Sequence, residues 1–364
     1  MYTPIADKTL RTGETLAIGV VLAPDDPAPD ERTPMDNHAP ADDHGPDADH
    51  ASLVRPILAH KSRNDQWHLD EVFAGRVSAL ETRFYLGRLN DRSVCNIMVS
   101  EHDGIGILSH VYTAPEHRRK GIARFVMTEQ MADFNARSGR YLTLSTGYDT
   151  HPYHLYHGFG FRSVVPESGH MKYMSDAGLE LESFEAEHSR DDRAGQARGD
   201  RSGEARVIPG DWQHWPSLNV LCAQAGPPYL RNVGLGHIGP RMFEGAYMWL
   251  MKETREEDDV QVRLVVTEHG AVAGYATLVP DIRWRGETML LDLTVHSDFE
   301  ALLKPLLESF ALPPGRKVLC HVEPDDDSKT AALRDAEFVH EATLRQQYKA
   351  AGNVLDVEVY VRYG

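Results

Sequence analysis

The chain has 364 residues, with 38 Lys+Arg against 55 Asp+Glu and a formal net charge of −17. That length suits two ordinary domains, and a hydrophobic content of 41% is enough for packed cores. The acidity argues against nucleic acid or an anionic membrane as partner, since both are held by basic patches.

No apolar run approaches the ~18–20 residues of a membrane span, and the first residues lack the basic and apolar regions of a secretion signal. Cys95, Cys222 and Cys320 are scattered without metal-ligand spacing, which suits a reducing cytoplasm. Glu14–Leu22 is a β-branched run of strand character. Residues 24–50 then hold nine acids, one base and six prolines, a net −8 with almost nothing to bury. That composition predicts a disordered acidic insertion; His38, His44 and His50 within it leave a weak metal-binding reading beside that of a solvated loop. Ser52–Lys61 and Trp67–Phe73 read as short helices, so the insertion lies inside a domain.

Glu81–Leu89 and Arg92–Ser100, joined by Asn90-Asp91, have the form of a hairpin with a two-residue turn. A third strand, Gly106–Thr113, leads into the basic turn Ala114–Ala123 and a helix with apolar residues at 125, 126, 127, 131 and 134 on one face. A strand, a basic turn and a helix whose start carries Gly make a phosphate cradle in physical terms. First-turn N–H groups have no intrahelical partner, the dipole adds positive charge, and Gly121 admits close approach. Arg118, Arg119 and Lys120 supply a cationic rim. Taken alone, the same turn also reads as a solvated surface loop.

Two motifs decide between these readings. Arg118-x-x-Gly121-x-Ala123 resembles the Arg/Gln-x-x-Gly-x-Gly/Ala signature of the GNAT acetyltransferase superfamily. After a fifth strand at Arg140–Thr146, His154-Leu-Tyr-His-Gly-Phe-Gly-Phe-Arg162 resembles that family's Leu-Tyr-x-x-x-Gly-Phe element. The resemblance covers residues 10–175 and implies a mixed α/β sheet fold with acetyl-CoA as co-substrate. By position it implies that backbone groups of Val111, Tyr112 and Thr113 pair with the pantetheine arm, one N–H polarising the thioester carbonyl. The backbone of Arg119, Lys120, Gly121, Ile122, Ala123 and Arg124 takes the pyrophosphate, with Arg118 acting on the turn or on phosphate. Tyr156 is implied as general acid for the leaving thiolate, the alternative being an aromatic that packs on the cofactor.

The base stays open. Strand parity groups Ser109 and Ile107 with Val111 and Thr113; His110 points the other way unless a bulge shifts the parity. Ser109 would relay through water; His110 is either a base or a buried hydrogen-bonded histidine. Asp149 and His151 are further candidates, and Trp67 and His68 fall where the family builds its acceptor pocket. His151, His154 and His157 recur every third residue, but Pro152 and the lack of acidic or Cys partners favour packing over a metal, and no metal is expected.

Glu185–Ala205 is polar, of mixed sign and without apolar periodicity, as in an interdomain linker, placing the domains at 1–184 and 206–364. The second half repeats the order of elements: Arg206–Ile208 and Trp212–Leu221, a hairpin of 262–267 and 272–278, a strand at 289–296 and another at 318–322. Ser297–Glu300 stands where the basic Gly turn belongs, and Ala336-Glu337-Phe338 replaces the Gly-Phe turn without a preceding tyrosine. The expectation is two tandem GNAT folds, the first catalytic and the second degenerate. The activity implied is direct acetyl transfer in a ternary complex to the amine of a small molecule or protein. Transfer of a longer acyl group and a non-catalytic acyl-CoA-binding regulator are the alternatives, and a homo-oligomer is left open.

Overall fold

The computed structural model describes residues 2–24, 48–77, 79–175, 201–223, 230–239, 241–284, 287–350 and 352–364. It divides into two compact units, residues 1–163 with 167–181, and residues 164–166 with 182–364. Most of the expected acidic insertion and of the expected linker lies outside the described residues. At its C-terminal edge the insertion is shorter than expected, because residues 48–50 already belong to a helix.

The first unit runs β1 (Tyr2–Thr9), β2 (Thr15–Leu22), α1 (Ala48–Leu58), α2 (Arg63–Phe73), β3 (Glu81–Leu89), β4 (Arg92–His102), β5 (Ile105–Thr113), α3 (Ile122–Ala136), β6 (Tyr141–Ser145), α4 (His151–His157), β7 (Arg162–Ser163) and β8 (His170–Met174). Its sheet has the order β1-β2-β3-β4-β5-β6-β8-β7, antiparallel throughout except for the parallel pair β5-β6. The β3–β4 hairpin turns on Asn90 and Asp91, both left-handed with φ of 47° and 61°. That is the primed turn whose twist matches the flanking strands. Strand β1 was not expected: it carries Pro4 and charges and lies at the sheet edge, where a missing donor is tolerated. One face of the sheet packs on α3 through Ile122, Val126, Met127, Met131 and Phe134, in a cluster that also takes in Cys95, Ile97, Val99, Leu108, Tyr156 and Phe161.

The second unit runs β9 (Ala205–Pro209), α5 (Trp215–Cys222), β10 (Leu230–Asn232), β11 (His237–Ile238), α6 (Glu244–Glu256), β12 (Gln261–Thr267), β13 (Val272–Pro280), β14 (Thr288–Val295), α7 (Leu303–Glu308), β15 (Lys317–Val322), α8 (Asp327–Asp335), β16 (Val339–Ala350) and β17 (Asn353–Tyr363). Its sheet, in the order β9-β12-β13-β14-β15-β17-β16, repeats β2-β3-β4-β5-β6-β8-β7 strand for strand, with β14-β15 as the parallel pair. Trp212 and Trp215 are core residues, packed edge to face at 5.7 Å. Both units are therefore mixed α/β folds of one topology.

Candidate acyl-transfer site in the first unit

Strand β5 stays on β4 along its whole length, but its parallel pairing with β6 spans only Ile105–Ile107. Beyond Ile107 the two strands part, and among the described residues no strand pairs with the β6-facing edge of Ser109–Thr113. Within this stretch Asn96 pairs with Tyr112 while Met98 pairs with Ser109, so two steps on β4 face three on β5. The extra residue is a β-bulge, and His110 at its centre is left-handed, with φ of 48°. Asn96 Nδ2 donates to the His110 carbonyl at 2.9 Å.

The bulge corrects the expected parity. Leu108 and Val111, three residues apart, both pack in the α3 cluster, and Thr113 Oγ1 donates to Cys95 Sγ, a member of that cluster. Tyr112 turns the other way, its ring 4.0 Å from that of His60 in the α1–α2 connection. Ile107 is buried outside the α3 cluster. Ser109, two residues on, shares its face, so Ser109 and Ile107 are not grouped with Val111 and Thr113.

His110 lies within electrostatic reach of Lys61, Asp65 and His60, and its imidazole is pushed down to about 4, chiefly by burial and then by Lys61 and His60, with Asp65 opposing. His68 on α2 is fully enclosed and is pushed down to about 3 by burial and by His110, again opposed by Asp65. Asp65 itself accepts from Ser62 N and Oγ, in a capping box that starts α2. Two neutral imidazoles thus sit on the α1–α2 side of the opening.

At the far end of β5, Pro115–His117 form one 3-10 turn and Gly121 precedes α3 with φ of 83°. Arg119 is also left-handed, at 63°. A Cβ on Gly121 would meet only Phe125, at 3.8 Å, so space is open there and conformation is what demands glycine. The cations of the turn do not act alike. Arg118 donates Nε to the Thr113 carbonyl at 3.0 Å and lies 5.6 Å over the Tyr112 ring, fixing the turn to the strand. Lys120 turns toward Glu14, 3.8 Å away. Arg119 and Arg124 are exposed, the latter 5.8 Å over the Phe159 ring.

Helix α4 begins at Thr150, which caps it by accepting from Tyr153 N. Tyr156 is buried in the α3 cluster, 6.1 Å from the Phe161 ring, and belongs to the same cluster as Ile122 at the start of α3. His151, His154 and His157 are exposed; His154 pairs with Asp149 at 3.0 Å and His157 stacks on Tyr153. Among the described residues no group of three or more His, Cys, Asp or Glu is placed to hold a metal. Val111–Thr113 and His110 thus lie on the β5 side of the opening, the Gly121 turn follows them, and Tyr156 belongs to the cluster on which Val111 packs, while Asp149 and His151 stay at the exposed start of α4.

Two contributors were absent from the sequence reading. His60 carries no motif. Asn96 does carry a signal, as the one polar side chain in the run Val94–Val99.

In the second unit β14 is followed by a 3-10 turn, Ser297–Leu302, with Asp298 buried and Glu300 exposed, and then by a helix of 6 residues. The left-handed glycine and the arginines of the first unit's turn have no counterpart there.

No family model matches the chain, and no curated protein matches it. Solved structures are similar over less than half its length. The N-acetyltransferase from Staphylococcus aureus Mu50 is 14% identical with a TM-score of 0.35, over 44% of this chain and 98% of that one. The ribosomal-protein-alanine N-acetyltransferase from Brucella melitensis is 19% identical at 0.33, over 43% and 99%. A GNAT-family acetyltransferase from Streptococcus pneumoniae is 16% identical at 0.34, over 44% and 99%. Likenesses this distant carry nothing about chemistry, which has to come from the residues of this chain.

Proposed function

We propose that the first unit binds acetyl-CoA and transfers its acetyl group to an amine by direct attack in a ternary complex. The observation that carries this reading is the parting of β5 from β6 after Ile107, which frees one backbone edge of Ser109–Thr113 beside the left-handed Gly121 turn. An extended amide-bearing arm fits such an edge, and its phosphates fit the N–H groups that begin α3.

Acetyl-CoA supplies an activated acyl thioester. Around it, an N–H of Val111–Thr113 donates to the carbonyl oxygen as charge develops there. The amine nitrogen bonds to the acyl carbon and the C–S bond breaks. His110, neutral and on the α1–α2 side, accepts the proton lost by the nitrogen; Tyr156 donates its phenolic proton to the departing sulfur, and the cycle closes by proton exchange with solvent. Ser109 has its place beside His110, as a water-mediated relay.

The test is thiol release from acetyl-CoA with a panel of primary amines, a polyamine and a lysine peptide. Tyr156→Phe is expected to lower kcat by ~10²-fold with CoA affinity held, the usual size of a general-acid contribution. Gly121→Glu, which adds a side chain at positive φ and a negative charge, should abolish CoA binding measured by calorimetry in a protein that still folds, with its stability in thermal melting lowered only by the ~1–2 kcal/mol such a backbone costs. Tight CoA binding without thiol release for any amine would replace the enzyme by a non-catalytic acyl-CoA-binding protein. The burial of Tyr156 among apolar side chains is the observation that favours this second reading.

A further inference from the structure

The bulge on β5 needs a cause. A left-handed backbone at a non-glycine residue is sterically unfavourable and persists only when its surroundings hold it there. For His110 the holding contact is Asn96, whose Nδ2 donates to the His110 carbonyl at the point where the β4–β5 register slips.

Asn96 is a poor choice for packing alone. It is wholly buried, and its neighbours Val94, Cys95, Ile97, Met98 and Val99 are all apolar and buried. Its Oδ1 is buried and accepts from no donor among the described residues. An apolar side chain of similar volume would avoid that desolvated oxygen, so the amide is present for the bond its nitrogen makes.

We propose that Asn96 is a positioning residue, holding the bulge so that the His110 side chain leaves the sheet on the α1–α2 side, where the acceptor amine arrives. This rests on the acetyltransferase reading only for the role given to His110. The groups that face His110 are His60 and Lys61 from the α1–α2 connection and Asp65 and His68 from α2. Without the Asn96 bond the left-handed backbone at His110 is no longer held in place, so the imidazole can leave these neighbours and reach solvent.

The experiment uses the full chain with Asn96→Leu, and Asn96→Ala as the second variant should leucine not fit. The His110 imidazole is titrated by NMR, and thiol release from acetyl-CoA is followed with a primary alkylamine as probe. The wild-type His110 titrates near 4, and in the variants its midpoint should rise by about one unit or more toward the ordinary ~6.5. The acid limb of kcat/KM should rise with it, kcat should fall ~10-fold, and the KM for acetyl-CoA should stay within ~2-fold, a split that general loosening of the fold would not produce. A His110 midpoint unchanged in a folded variant overturns the proposal. A midpoint that moves in a protein that acetylates no amine upholds the positioning role and rejects the acetyltransferase reading instead.

Discussion

His68 shows what a single enclosed group does to the stability of this protein. Its imidazole protonates near 3 in the folded chain and near the ordinary ~6.5 once unfolded. Between those values the unfolded chain binds the extra proton, so stability is complete above pH ~6.5 and falls as the pH drops toward 3. At pH 5 the loss from this one group is about 2 kcal/mol, an order-of-magnitude figure. Replacing it, as His68→Leu, should therefore shrink the difference between urea-unfolding free energies at pH 7.5 and pH 5 by about that amount; an unchanged difference would mean the imidazole is not excluded from water. At this scale much was legible. The glycine that the turn before α3 requires, and the two faces open to His110, can be read from motif and parity. His60 cannot, because its partner, Tyr112, lies 52 residues away and only the fold brings them together.

Elements were legible in proportion to how they bury. The hairpin Glu81–Ser100 was expected because two runs rich in apolar and aromatic residues flank a turn dipeptide suited to positive φ. Asp91 still tolerates that conformation less well than glycine. Asp91→Gly is accordingly expected to raise stability by up to ~1 kcal/mol in thermal unfolding, with the strand register unchanged. A loss of stability would show that the Asp91 side chain has a use the turn does not explain. Edge strands β1 and β16 escaped notice because their exposed polar side chains carry no alternation. Helix α6 was missed although its apolar residues at 247, 248, 250 and 251 do fall on one face. The bulge at His110 was not decidable from sequence, since one extra residue in a strand leaves every side-chain type unchanged and alters only which face follows. Its presence moved Ser109 away from Val111 and Thr113.

For the whole molecule, length was a better guide than charge. Of the net −17, −8 falls in residues 24–50, so the overall sign describes that insertion as much as either folded unit. The two sheets share one strand order, including a central parallel pair. Only the first unit follows that pair with a left-handed glycine and arginines; the second has Asp298 and Glu300 in the corresponding turn. Calorimetric titration of the full chain with CoA is expected to give one site per chain. Two sites would require the second unit to bind phosphate beside these carboxylates.

Taken by itself, the sequence determined that there are two mixed α/β units and that only the first has a basic glycine turn between its strand and its helix. These are properties of local pattern: periodicity, turn chemistry and spacing survive in one dimension. Only the tertiary structure decided that β5 parts from β6 after Ile107, that a bulge held by Asn96 turns His110 toward His68, and that Arg118 braces the turn against Tyr112. The first depends on how strands separated by a helix pair, the second on a side-chain bond across a ladder, and the third on a turn folding back on its own strand; periodicity and spacing record none of them.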